Sequence, residues 1–89
     1  MPIKLTIVCE GSDWPIKKRT GGYNDSSLSK QVVTANTETG YTVVKYFADS
    51  DALASWRSDN ADEMPRILAR REANSITATF TEETIDSIP

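Results

Sequence analysis

Histidine is absent from this 89-residue sequence, and cysteine occurs once, at Cys9. Without histidine the chain lacks the commonest acid/base at neutral pH and the usual ligand of zinc and haem. Nucleophilic triads of the Ser-His type are excluded for the same reason. A lone cysteine permits no disulfide within one chain and no thiolate cluster. Its place on an alternating strand predicts a small buried apolar group. Gly21-Gly22 lacks the GxGxxG spacing of a phosphate-binding loop. No apolar run approaches the roughly 18 residues that span a bilayer. Alternation from the third residue leaves no signal-peptide core, so the Asn24-Asp25-Ser26 sequon is a chance match. The expectation is a cytoplasmic protein with no membrane partner.

Thirteen acidic and ten basic residues give a formal charge of −3. Nucleic-acid binding needs a cationic face, and the basic residues are scattered apart from Lys17-Lys18-Arg19 and Arg70-Arg71, so no nucleic-acid partner is expected. A composition 38% apolar and 26% charged is that of a folded domain rather than a disordered tail. The length fits one α+β domain over residues 1–89.

Ile3, Leu5, Ile7 and Cys9 alternate with polar residues and predict a half-buried strand. Residues 11–29 carry Gly11, Pro15, Gly21, Gly22 and three serines, too many breakers for one helix. They read as a long loop or a degenerate first helix, with a short helix near Asp13–Lys18 or Asp25–Lys30 as alternatives. Gln31–Asn36 and Tyr41–Phe47 predict a hairpin, with Gly40 supplying a positive φ in the turn. Asp49 or Ser50 suits the N-cap of a helix carrying Leu53 and Trp56. A second helical piece follows, with Asn60 or Asp62 as its cap and Pro65 in its first turn. Met64, Ile67 and Leu68 form its apolar stripe. Arg70 and Arg71 suit its end, with Asn74 closing it. Ile76, Ala78 and Phe80 alternate with Thr77, Thr79 and Thr81, predicting a last strand with one buried and one threonine-rich face.

From Val43-Val44-Lys45-Tyr46-Phe47 through Ser50-Asp51-Ala52-Leu53 and Trp56-Arg57-Ser58-Asp59 to Ile76–Glu83, the chain resembles the antibiotic-biosynthesis-monooxygenase-like family. The resemblance covers residues 41–83, about half of the sequence. It implies a ferredoxin-like antiparallel four-stranded sheet with helices on one face, assembled as a dimeric α+β barrel, hence a homodimer. As ligands it implies small oxidised aromatics or haem, which are typical of that group. The family's histidine after the Trp-Arg helix is missing; Asn60-Ala61-Asp62-Glu63 stands there instead.

Candidate ligand-binding residues are Trp14 and Tyr23 in the long loop, with Tyr46 and Trp56. Each also has a plain structural role, as core or as loop anchor. Lys17-Lys18-Arg19 reads as a solvated loop rather than an anion site, and Asp59, Asp62 and Glu63 as helix-start acids. No cofactor and no metal site are expected. The function expected is a non-catalytic module binding a small molecule, such as an aromatic, or a protein partner. The alternative is a cofactor-independent monooxygenase acting on a small aromatic substrate. An apolar cavity lined by Trp14, Tyr46, Trp56 or Phe80 would favour the enzyme.

Overall fold

Period-two alternation of apolar residues predicts a strand with one face in the core, and the computed structural model shows this in β1 (Ile3–Glu10). Ile3, Leu5, Ile7 and Cys9 are all buried on one side of it. The structure describes residues 1–11, 23–35, 40–73 and 76–89. Within these, β2 (Lys30–Ala35) and β3 (Gly40–Phe47) follow, then α1 (Ser50–Asp59), α2 (Glu63–Ala73) and β4 (Thr77–Thr84). The sheet order is β2-β3-β1-β4, with every neighbouring pair antiparallel. This is the ferredoxin-like arrangement, with β1 and β3 at the centre.

Leu5 opposes Lys45 on β3, and Ile7 opposes Val43. Tyr41, Val43, Lys45 and Phe47 therefore share the core face with β1, and all four are buried. Leu53 and Trp56 of α1, Ile67 of α2 and Ile76 cover that face. The Asp49 carboxylate caps α1 by accepting from the Ala52 backbone N–H at 2.9 Å. Pro65 sits in the first turn of α2, where its missing N–H has no helical partner to lose.

The opposite face carries Lys4, Thr6 and Val8 of β1, Thr42, Val44 and Tyr46 of β3, and Thr79, Thr81 and Glu83 of β4. Its threonine-rich character agrees with the sequence. The tail crosses this face at one end of the sheet. There the Ile85 N–H donates to the Pro2 carbonyl at 2.9 Å, and Lys30 Nζ donates to the Pro89 carbonyl at 2.8 Å. Lys30 and Tyr46 are register partners, so the tail passes beside Tyr46, which is buried.

Four expectations need correction. Phe80 is 37% exposed, because β4 is an edge strand that the helical layer covers only in part. Residues 25–28 form a turn, closed by Leu28 N–H on the Asp25 carbonyl, rather than a helix. Asn60 does not cap α2; it ends α1, and its side chain turns inward. Gly40 lies in β3 opposite Glu10, and the positive φ among the described glycines belongs to Gly11. A Cβ at Gly40 would come within 2.5 Å of the Glu10 carboxylate, so a glycine here makes room for a side chain. The helix expected at Asp13–Lys18, the Thr37-Glu38-Thr39 turn and the Asn74 closure lie outside the described residues. No described helix is long and apolar enough to cross a membrane.

Candidate functional site

Lys45 occupies an inward position of β3 and is 1% exposed, which a cation tolerates only when paired. Its ammonium donates to Asp25 Oδ1 at 2.8 Å and to Gln31 Oε1 at 2.5 Å. The same carboxylate oxygen accepts from the Trp56 indole Nε1–H at 3.0 Å. Asp25 thus ties the 23–29 loop to both the sheet and α1. Burial pushes the Lys45 ammonium below the usual lysine range, against the opposing pull of Asp25.

Asn60 supplies a second tie. It is fully buried, and its carboxamide accepts from the Asn24 N–H at 2.6 Å and donates to the Asn24 carbonyl at 2.9 Å. The same nitrogen donates to the Trp56 carbonyl at 2.7 Å. A side-chain amide here pairs with a loop backbone as a neighbouring strand would, and satisfies polar groups that the core would otherwise strand.

These ties place Tyr23 over Trp56, with ring centroids 5.3 Å apart. Lys45 Nζ lies 5.2 Å from the Tyr23 centroid and the Arg71 guanidinium 5.6 Å from it. Phe47 meets the indole edge-on at 5.9 Å. The Tyr23 hydroxyl is buried and finds no hydrogen-bond partner at bonding geometry among the described residues. Burial raises its pKa, although Arg71 draws it the other way. Tyr41 is also raised, well above its usual range, by burial and by a hydrogen bond with Cys9.

A void of about 10 Å³ lies among Ile7, Cys9, Tyr23, Tyr41, Val43, Lys45 and Arg71, room for about one water. A shallower groove of about 280 Å³ runs on the far side of Trp56, lined by Leu5, Arg57, Met64, Phe80 and Glu82. An Arg57–Glu82 ion pair stands in it. Trp56 thus lines this groove and also meets Asp25, Tyr23 and Phe47.

Of the residues expected from sequence, Tyr23 and Trp56 are brought together. Tyr46 is on the other face of the sheet and shares no cavity with them. Trp14 and Lys17-Lys18-Arg19 lie outside the described residues. Asp25, Lys45, Asn60 and Arg71 were not singled out. Lys45 carried a readable signal, since it interrupts the inward series Tyr41, Val43 and Phe47. Arg71 lies four residues after Ile67 and so continues its helix face into the core. Asp25 and Asn60 carried no comparable signal, because their contacts join residues 20 to 36 positions apart.

No known family profile and no curated protein sequence matches the chain. The structural comparison does. A mutant of SnoaB, a cofactor-independent oxygenase from Streptomyces nogalater, superposes with a TM-score of 0.66 at 9% identity, over 98% of this chain and 95% of that one. A second crystal structure, an antibiotic biosynthesis monooxygenase, gives 0.48 at 12% identity over 96% and 99%. At such identity the likeness speaks to fold and not to activity. The chain thus has the ferredoxin-like α+β fold seen in SnoaB, as its resemblance to the antibiotic-biosynthesis-monooxygenase-like proteins implied.

Proposed function

We propose that this domain binds a small aromatic molecule bearing an acidic hydroxyl or a carboxylate, between the sheet and the helical layer. The observation that carries this reading is the interior cluster of Lys45 and Arg71 beside Trp56, Tyr23 and Tyr41. The Lys45–Asp25 pair and the Arg71 guanidinium set charged groups against these aromatic walls. Aromatic faces recognise a planar ring, and the cations recognise its ionised oxygen.

The same cluster supports a second reading, cofactor-independent oxygenation. An electron-rich aromatic anion held by Lys45 and Arg71 reacts with O₂ itself, so the protein need supply no redox group. A ring C–H para to the ionised oxygen then becomes a carbonyl, with O₂ providing one oxygen to the quinone product and one to water. The oxygenase activity of SnoaB makes this the enzyme class to test first. Assembly as a homodimer across the threonine-rich sheet face is part of both readings, with Val8, Val32 and Val44 as its apolar contacts. The proposed ligand set is Tyr41, Lys45, Trp56 and Arg71, with Tyr23 standing beside them at the site; Trp14 and Tyr46 remain candidates for contacts outside this cluster.

Calorimetric titration with 1-naphthol tests binding. Saturable heat with a stoichiometry of one per chain, weakened about tenfold or more in Lys45→Met, supports the site. Equal binding by the two proteins would remove Lys45 from it. Oxygen uptake with the same compound, recorded by electrode, separates the enzyme from the binding module.

A further inference from the structure

We propose that Tyr23 is the resident occupant of this site, an internal phenol that must rotate out before an external aromatic can enter. The proposal rests on the aromatic-site reading above and adds how access to that site is controlled. Three observations carry it. First, the Tyr23 ring already has the contacts an aromatic ligand would seek: the Trp56 indole at 5.3 Å and two cations within 5.6 Å. Second, its hydroxyl is buried and faces the Arg71 guanidinium without meeting a partner at hydrogen-bond geometry among the described residues. Third, the residual void of about 10 Å³ is bounded by Tyr23 itself, so withdrawal of the ring adds its own volume to that space.

The backbone that follows Tyr23 is held in place. Asn24 is fixed by Asn60, Asp25 by Lys45 and Trp56, and the Ser29 N–H donates to the Tyr46 carbonyl at 2.9 Å. Entry therefore requires a turn of the Tyr23 side chain and leaves the loop from Asn24 onward in place. Closed and open states differ by one rotamer, and a ligand binds with an affinity reduced by the fraction of time the ring is out.

The experiment excises the ring and returns it. Tyr23→Ala keeps Cβ and leaves a phenol-shaped cavity, for which p-cresol, the whole tyrosine side chain as a free molecule, is the probe. Thermal shift and calorimetry on Tyr23→Ala should show p-cresol binding at least about tenfold tighter than in wild type, with the melting temperature raised toward the wild-type value. Tyr23→Phe keeps the ring in place and should show no such gain. In the wild-type protein, the nuclear Overhauser contact between the Tyr23 ring and the Trp56 indole should disappear at saturating p-cresol or 1-naphthol. The wild-type measurement stands even if the alanine variant does not fold. Persistence of that contact in a saturated complex overturns the proposal, as does a Tyr23→Ala protein that binds p-cresol no better than wild type. If 1-naphthol binds with the Tyr23–Trp56 contact intact, the aromatic site survives and the resident phenol does not. If Tyr23→Ala takes up p-cresol while no external aromatic binds wild type, Tyr23 is a packed core side chain, and the gate and the ligand reading both fall.

Discussion

One carboxamide, that of Asn60, holds the 23–29 loop against α1 through Asn24 while tying back the Trp56 carbonyl. Truncation would leave the Asn24 N–H and carbonyl short of partners, while the Trp56 carbonyl keeps the Asn60 backbone N–H. An unmade hydrogen bond at a buried group costs about 1–3 kcal/mol, so Asn60→Ala should lower unfolding free energy by about 2 kcal/mol in urea titrations. The Lys45–Asp25 pair should respond unequally to the loss of either member. Asp25→Ala abandons an ammonium that is 1% exposed and strips the indole of its acceptor, at a cost of about 3 kcal/mol. Lys45→Met removes the buried charge itself and leaves Asp25, which is 31% exposed, to water and Trp56, so its cost should stay within about 1 kcal/mol. Equal losses from the two variants in chemical denaturation would refute this account of the pair.

Among the elements, β1, β3 and α1 were plain in the sequence because each buries one face with a regular period. The Asp49 cap was likewise readable, since a carboxylate two or three residues before an N–H is a local arrangement. Asp49→Ala should cost about 1 kcal/mol in thermal or urea unfolding, and Asp49→Ser should recover most of it. β4 was misread in one respect. Its alternation of Ala78 and Phe80 with threonines looks like a half-buried strand, but alternation reports which residues share a face, not whether anything covers it. Covering depends on where the strand falls in the sheet, and β4 falls at the edge. The interior cluster was the least legible part. Its members come from the loop, β3, α1 and α2, and only the fold brings Trp56, Lys45 and Arg71 within 5.6 Å of the Tyr23 ring. A pattern on one element flags Lys45 and Arg71 as misplaced charges, and nothing local names their partners.

For the whole molecule, the burial of two phenols beside two cations makes stability a function of pH. Burial raises the pKa of both Tyr23 and Tyr41 above the ordinary value near 10. In the unfolded chain both ionise near that value, while the folded chain keeps them protonated. Above it the folded state binds more protons, so stability falls as pH rises. Lys45 acts in the opposite sense at lower pH: its folded pKa lies below 10.5, so between the two values the unfolded chain holds the extra proton and stability grows with pH. Melting temperatures followed by circular dichroism should therefore decline above about pH 10. Tyr41→Phe should decline less steeply, because one of the two phenols is gone.

The central claim is that the space between sheet and helices, rather than the groove beside β4, receives an aromatic ligand. Nitrogen–proton correlation spectra of the labelled wild-type protein, recorded during a 1-naphthol titration, test it most directly. The account predicts saturable shifts of the Trp56 indole and the Asn60 side-chain amide, both abolished in Lys45→Met. Shifts confined to Met64, Phe80 and Glu82, or no saturable shift at all, would contradict it.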